Sequence, residues 1–374
     1  MKFFPFKIWP LRIAHLMALG LTVFLGGLLA CAPTALIGLK PQGLQEVPLK
    51  IVWLQIPGLS EDHFAFLRFQ NLSAATVTSF EESTCWGKLW NFNLFHLRPP
   101  AEQGLLAQVT GSTNQQSTCQ DYQARPVWSY LKELGFHSGI LEVAVRPEQS
   151  LAAAQHCPEQ KDFLTGTALW RMAKAPTSKT GQFHYQDRPF HWQEGILYDR
   201  SCQQTTCFAS PVDNFWYLQS QLSTFPSYLL LVRDFSYQNA LQAKKFHQAQ
   251  TILADWEKVY ASLMAMKAQD PSILVILSST SAIGLEFPPE GPAWNVLKTQ
   301  DQPISYHRPL LTSLALAAGA SAENFCGIYQ EANLLERILW PHNQKRVNQE
   351  IKKINKLKAQ QAKEQAAASE RSSQ

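Results

Sequence analysis

The chain has 374 residues, of which 45% are hydrophobic and 17% charged, and its formal net charge is +4 at pH 7. The positive charge is concentrated at the two ends. The first 30 residues contribute +3 and residues 343–374 contribute +5, which leaves about −4 on the central body. A negatively charged body argues against a nucleic-acid-binding surface.

The N-terminal 30 residues have the pattern of an export signal. Three basic residues precede an apolar stretch from Ile13 to Ala30, as in a secretory signal. The stretch ends in Leu28-Leu29-Ala30-Cys31, which resembles the lipobox of bacterial lipoprotein signals. The resemblance implies that residues 1–30 are removed and that Cys31 carries the lipid, since several acyl chains together anchor a protein stably. The alternative is an uncleaved transmembrane helix, which would export the body in the same orientation.

We therefore expect a protein of the bacterial cell envelope, on its periplasmic or surface side and anchored by lipid. Six cysteines follow Cys31, an even number in a compartment where disulfides persist. We predict a local disulfide between Cys202 and Cys207 and a second one between Cys85 and Cys119, although six cysteines allow 15 pairings. No Cys/His spacing in the sequence indicates a zinc site.

The rest of the chain divides into three parts. Residues 31–47 contain Pro and Gly with few charges and are predicted to be a tether. Residues 48–340 have the composition of one globular domain. In residues 341–374, the apolar positions Val347, Ile351, Ile354 and Leu357 recur at helical spacing on a Lys-rich stretch. This basic tail is either a solvated helix or a docking helix for a partner or an anionic membrane.

The order of predicted elements indicates an α/β fold. Three short apolar runs are typical of buried parallel strands, namely Ile51–Ile56, Tyr228–Val232 and Ile273–Leu277. Helices are predicted from Ser60, over Pro126–Leu134 and over Asn239–Gln269, with a further strand at Gly139–Val143. This alternation favours a mostly parallel central sheet with helices on both faces.

Five stretches resemble landmarks of the alkaline phosphatase and sulfatase superfamily, and they occur in that family's order between residues 49 and 328. They are IVWLQIPGLSEDHF, LLAQVTG, PVWSYLKELGFHSGILEV, SILVILSSTSAIG and PISYHRPLLTSLALAAG. The resemblance implies an alkaline phosphatase-like domain over residues 48–340.

Enzymes of this superfamily use one or two metal ions, held by carboxylates and imidazoles, and a Thr, Ser or modified Cys nucleophile. When these positions are carried over, the first metal-binding Asp falls on Pro57 and the nucleophile falls on Ala101. The late Asp-His pair falls on Thr280 and Ser281. Hydroxyl groups alone bind a divalent cation weakly. The resemblance thus implies a degenerate site with no catalytic residues and no cofactor, and a non-catalytic protein that binds a protein or glycan partner.

The alternative is a divergent metal-dependent hydrolase of phosphate or sulfate esters with a relocated site for a divalent metal. Its candidate ligands are Glu61, Asp62, His63, Asp234 and His307, because ligands gather at the carboxyl ends of parallel strands. Each has a structural explanation as well: acids favour a helix start, and the others can be ordinary capped or surface groups. No GxSxG elbow, Walker loop or GxGxxG occurs in the sequence.

Aromatic residues are dense in one segment, at Trp86, Trp90, Phe92, Phe95 and His96. The segment is interpreted first as core packing, because large rings supply much buried area. The second interpretation is a groove for a sugar or a peptide.

Overall fold

A computed structural model describes most of the body of the protein. The described residues are 47–68, 77–158, 160, 162–178, 180–187, 192–203, 206–287 and 305–343. The predicted signal peptide, Cys31, all of the predicted tether before Val47 and the basic tail from residue 344 onward lie outside them. Within these ranges, none of the helices has both the length and the apolar character needed to cross a membrane.

The described residues contain fourteen strands. They are β1 (Lys50–Gln55), β2 (Cys85–Trp90), β3 (His137–Val143), β4 (Thr167–Met172), β5 (Gln182–Phe183), β6 (Gly195–Asp199), β7 (Cys202–Gln203), β8 (Thr206–Cys207), β9 (Tyr228–Asp234), β10 (Ile273–Ser278), β11 (Ile283–Glu286), β12 (Ser305–Pro309), β13 (Thr312–Gly319) and β14 (Gly327–Gln330). Ten of them form one sheet in the order β14-β2-β13-β10-β1-β9-β3-β4-β6-β5. Strand β13 runs antiparallel to both of its neighbours, and every other pairing in this sheet is parallel.

The three predicted apolar runs are the central strands of this sheet. Strand β1 lies between β9 and β10, with Val52 opposite both Leu230 and Val275. All of β9 and β10 and five of the six residues of β1 are buried. This burial explains why the runs lack polar alternation, since helices cover both faces of such a sheet.

Seven α-helices are described. They are α1 (Ala65–Arg68), α2 (Ala101–Thr110), α3 (Val127–Glu133), α4 (Pro211–Leu222), α5 (Ser236–Gln242), α6 (Phe246–Gln269) and α7 (Asn333–Leu339). The predicted helix from Ser60 begins as a 3₁₀ turn at Glu61–Phe64.

The single long helix predicted over Asn239–Gln269 is wrong, because the chain forms α5 and α6 with a break between them. Lys244 has φ 57° in the left-handed region, and the Lys245 amide donates to Ala240 O at 2.9 Å. Neither residue is a glycine or a proline, so the sequence carries no ordinary signal for this break.

Two hydrophobic layers lie on opposite faces of the sheet. Val52 and Leu54 of β1 pack in one layer with residues of α4 and α6. Ile51 and Trp53 pack in the other layer with residues of α2, α3 and α7. The alternation of side chains along a buried strand separates the two layers, and the predicted arrangement with helices on both faces is confirmed.

Three disulfides join the six described cysteines, in the pairs Cys85–Cys326, Cys119–Cys157 and Cys202–Cys207. The pair Cys202–Cys207 is the expected local one and closes the β7–β8 hairpin; we call it the hairpin disulfide. The predicted Cys85–Cys119 pair is wrong. Cys85 begins β2, and Cys326 immediately precedes β14, which runs beside β2 in the sheet. Sheet neighbours thus determine a pairing that sequence proximity does not indicate.

The interpretation of the aromatic segment as core is wrong for most of its members. Trp86 and Trp90 are each 39% exposed and Phe95 is 50% exposed, while His96 is exposed as well. The side chains of β2 alternate, and Leu89 is among the residues that point into the core. The two tryptophans therefore lie on the opposite face of this strand.

Candidate functional site

The four positions singled out by sequence come together at the carboxyl ends of β1 and β10. Pro57 follows β1, Thr280 and Ser281 follow β10, and Ala101 is the first residue of α2. The amide of Gly58 donates to Thr280 O at 2.9 Å, which joins the two strand ends. A further hydrogen bond joins the start of α2 to these strand ends: the Ser281 hydroxyl donates to Pro99 O at 2.7 Å, and Pro99 lies two residues before Ala101.

The position where a nucleophile is expected has apolar surroundings. Ala101 is buried and forms a small hydrophobic cluster with Leu105 and Phe235, against which Val145 packs. A methyl group among apolar neighbours has no nucleophilic atom.

A buried carboxyl group that sequence reasoning missed lies at the centre of this site. Glu331 follows β14, is 2% exposed, and its Oε2 accepts a hydrogen bond from the Thr280 hydroxyl at 2.8 Å. Burial raises the pKa of Glu331 to about 8, although the hydrogen bond from Thr280 acts in the opposite direction. The carboxyl group is therefore protonated and neutral at pH 7. No motif surrounds Glu331 in the sequence, so no local signal could have identified it.

Gly104 in α2 allows this pair to lie against the helix. A Cβ atom at this position would be 2.0 Å from Thr280 Oγ1 and 2.9 Å from Glu331 Oε2. Both distances are shorter than any non-bonded contact of a carbon atom. The glycine is thus required by close approach of neighbouring side chains and not by its backbone conformation.

The rest of the site is a network of neutral amides and hydroxyls around Gln108 of α2. Its Oε1 accepts hydrogen bonds from the Ser278 hydroxyl at 2.7 Å and from Gln55 Nε2 at 3.1 Å. Its Nε2 donates to Ser279 O at 2.9 Å. All four residues are buried. A polar network in which the amide of Gln108 is satisfied on both sides fixes the packing of α2 on the strand ends.

His63 packs against Phe66 and Tyr237, which lie on the face of the sheet opposite to α2, and its role is structural. Its Nδ1 accepts from the Tyr237 hydroxyl at 2.8 Å, and its Nε2 is 2.8 Å from Ile283 O. Because a carbonyl oxygen only accepts, Nε2 carries the proton. Burial lowers the pKa of His63 to about 4, so the ring is neutral and both of its nitrogens are occupied.

Among the side chains that the structure describes, the other candidate ligands of the alternative do not form a group that could hold a metal ion. The Asp234 carboxylate accepts from the Trp256 indole at 2.6 Å and from the Ser236 amide at 2.7 Å, and burial raises its pKa. Burial acts to raise the pKa of Glu61, but the hydrogen bond and charge of Lys88, together with a backbone hydrogen bond and the charge of His63, outweigh it, and the net pKa is lowered. The side chain of Asp62 is exposed. For His307 only the backbone, within β12, is described.

In the described ranges, one group of three side chains has the spacing of a metal site: Asp199, Cys202 and Cys207. The two sulfur atoms belong to the hairpin disulfide and are not thiolates, which is the form that binds metal. Asp199 is itself occupied, because Oδ2 accepts from Asn214 Nδ2 at 2.7 Å. These residues do not fit a cation while the disulfide is intact.

Comparison with known proteins agrees with this description of the fold. No family model matches the chain, and no curated protein matches it. Solved structures do match. An alkaline phosphatase from a psychrophilic Shewanella species superimposes with a TM-score of 0.60 at 11% identity, over 78% of this chain and 98% of that one. The alkaline phosphatase of the Antarctic bacterium TAB5 gives 0.57 at 10% identity, over 79% and 98%. That of Thermus thermophilus gives 0.56 at 12% identity, over 79% and 93%.

The protein therefore has an alkaline phosphatase-like α/β fold, and the fold expected from the order of the five sequence landmarks is confirmed. Identities of 10–12% establish the fold alone, because one scaffold carries many activities. Function depends on the residues at the strand ends.

Proposed function

We propose that this protein is a non-catalytic binding protein of the bacterial cell envelope, anchored by lipid on Cys31 and built on a phosphatase-like scaffold. The observation that supports this best is the neutral chemistry at the carboxyl ends of β1 and β10. Pro57, Ala101, Thr280 and Ser281 stand where the family's resemblance implies ligands and a nucleophile. The one buried carboxyl group among them, Glu331, is held in its protonated form.

A protonated carboxyl group is a poor cation ligand, because metal binding requires the ligand to be deprotonated. Binding a cation here would also require the Thr280–Glu331 hydrogen bond to break. The Gln108 network would have to be rearranged as well, since it fills the adjacent space with amide and hydroxyl groups. These contacts support a protein that has the phosphatase-like fold but does not use a metal ion at this site.

Metal analysis of the full chain, purified in detergent without chelators, tests this proposal. We expect substoichiometric zinc, manganese and calcium, and no hydrolysis of p-nitrophenyl phosphate or p-nitrophenyl sulfate when these ions are added. One equivalent of any of the three ions would refute the proposal. So would ester hydrolysis that is lost in Glu331→Gln, because such activity would belong to this site.

Lipidation is tested separately by metabolic labelling with palmitate. We expect the wild-type chain to carry the label and to lack residues 1–30, and Cys31→Ser to lose the label. A mature chain that retains residues 1–30 without label would instead establish the transmembrane alternative.

The binding surface that we propose is formed by Trp86, Trp90 and Phe95, which are 39–50% exposed. Trp86 and Trp90 project from the same face of β2, and aromatic rings grouped on one surface are enriched in binding sites. Cosedimentation with purified envelope polysaccharide compares the wild-type chain with Trp86→Ala/Trp90→Ala. Equal pelleting of the two proteins would exclude this surface from glycan binding. The matched control is Phe208→Ala, which removes a ring that is 87% exposed elsewhere on the molecule.

A further inference from the structure

A cavity of about 340 Å³ lies on the other side of α2 from the Thr280–Glu331 pair. It is bounded by Glu102 and Gln103 of α2, by the segments 117–122 and 148–157, and by Arg233 of β9. The Cys119–Cys157 disulfide joins the two segments. The volume is at the lower end of the range for cavities that bind small molecules.

Arg233 belongs to a row of polar residues that crosses the sheet in register. Glu142 of β3 lies opposite Arg233 on one side and opposite Arg171 of β4 on the other. Its Oε1 accepts from Arg233 Nη1 at 2.8 Å and its Oε2 accepts from Arg171 Nε at 3.1 Å. These three buried side chains contain two guanidinium groups and one carboxylate, which leaves one positive charge without a partner inside the triad.

One edge of the Arg233 guanidinium is only weakly hydrogen-bonded within the protein. The side chain is 1% exposed, and its Nε has no hydrogen-bond partner. Nη2 makes only a long contact of 3.4 Å with Gln149 O. The Nε and Nη2 donors form a planar fork, which matches the two oxygens of a carboxylate or a phosphate group.

The carboxylates near the cavity are already engaged. Asp121 accepts hydrogen bonds from the backbone amides of residues 116, 117 and 118 at 2.6–3.3 Å. Glu148 pairs with Arg146, and Glu102 accepts from Gln149 Nε2 at 3.4 Å. None of them is hydrogen-bonded to Arg233, although burial lowers the pKa of Arg233 and the charge of Glu102 acts to raise it. Their charge disfavours a ligand with several negative groups.

We propose that this cavity binds a small hydroxylated molecule with a single anionic group, a carboxylate or a phosphate, which accepts hydrogen bonds from Nε and Nη2 of Arg233. Its hydroxyl groups contact Gln103, Ser117 and Tyr122, which line the same cavity. This site is distinct from the neutral strand-end site, and it requires neither a metal ion nor the proposed aromatic binding surface.

Isothermal titration calorimetry of the full chain in detergent tests the proposal with three probes. D-glucuronate carries a carboxylate, D-glucose 6-phosphate carries a phosphate, and D-glucose is neutral. We expect at least one anionic probe to bind roughly tenfold or more tightly than glucose, and the stronger of the two identifies the oxyanion. Anionic probes that bind no better than glucose would overturn the proposal.

Three variants locate the binding. Arg233→Lys keeps the charge but removes the fork, so we expect a loss of roughly tenfold or more in affinity. Ala153→Phe places a ring in the cavity without altering Arg233 and should abolish binding even if Arg233→Lys fails to fold. Gln120→Phe, on an exposed residue of the same segment, is the matched control and should bind as the wild type does. Unchanged affinity in Ala153→Phe would refute this location.

Discussion

The raised pKa of the Glu331 carboxyl group predicts how the free energy of unfolding depends on pH. In the native state its pKa is about 8, against an ordinary value of 4.5. Between these two values the native state binds a proton that the unfolded state has released. The free energy of unfolding therefore falls as pH rises through this window. A shift of about 3.5 units at 1.36 kcal/mol per unit corresponds to about 5 kcal/mol between pH 4.5 and pH 8.

The variant Glu331→Gln isolates this contribution. A glutamine retains an oxygen that accepts the hydrogen bond from Thr280 but does not titrate. The measurement is the free energy of unfolding from urea titrations at half-unit intervals between pH 4.5 and pH 8.5. We expect the variant to gain stability relative to the wild type as pH rises, by about 5 kcal/mol over the full range.

The stability of the variant must be compared with that of the wild type at each pH, because other buried groups titrate in the same pH range. His63 has a native pKa of about 4, lower than in the unfolded chain, so it favours the native state above pH 6.5 and loses this contribution as pH falls. That effect is common to both proteins and cancels. The control Glu82→Gln removes an exposed carboxyl group. Parallel stability curves for the wild type and Glu331→Gln would show that the native carboxyl group is ionised, and the argument for a neutral site would fail.

Three further predictions concern stability. Gly104→Ala should lower the free energy of unfolding by about 3 kcal/mol, because overpacking and the loss of a buried hydrogen bond outweigh a gain of about 1 kcal/mol in helix propensity. If chemical denaturation showed equal or higher stability, the close approach of Thr280 and Glu331 to Gly104 would be contradicted. Removing the Cys85–Cys326 disulfide by Cys85→Ser/Cys326→Ser should lower the free energy of unfolding by about 5 kcal/mol, and removing the hairpin disulfide should lower it by about 2 kcal/mol. The difference arises because the first disulfide closes a loop of 241 residues and the second a loop of 5. Similar melting temperatures of the two variants would refute this difference. Arg233→Met should cost about 3–5 kcal/mol as a broken buried ion pair, whereas the surface variant Arg146→Met should cost under about 1 kcal/mol.

Much of the central sheet could be predicted from local sequence. The runs at β1, β9 and β10 are too short for helices and too apolar for half-exposed strands, so their burial between helices follows from composition and length. The helix over α3 has a proline at its start and a glycine after its end, which are reliable local signals. Strand β13 and the break at Lys244 had no comparable signal, because antiparallel insertion and a left-handed lysine depend on distant neighbours.

Part of the candidate site was also predictable. The resemblance to the family's landmarks singled out Pro57, Ala101, Thr280 and Ser281, and the structure brings these four positions to one end of the sheet, where hydrogen bonds join their segments. The resemblance did not reveal Glu331, which lies 51 residues from Thr280 in the sequence. For the aromatic segment, composition predicted burial, and this prediction was wrong. The position of β2 in the sheet exposes Trp86 and Trp90.

The sequence by itself determined the α/β class and the central strands, because strand length and hydrophobic periodicity are local properties. The tertiary structure decided how Cys85 pairs, which rings face solvent, and that the Glu331 carboxyl group and the Arg233 guanidinium are buried. Each of these depends on groups that are far apart in the chain and come together only when the sheet assembles, and the removal of water on assembly raises the pKa of Glu331.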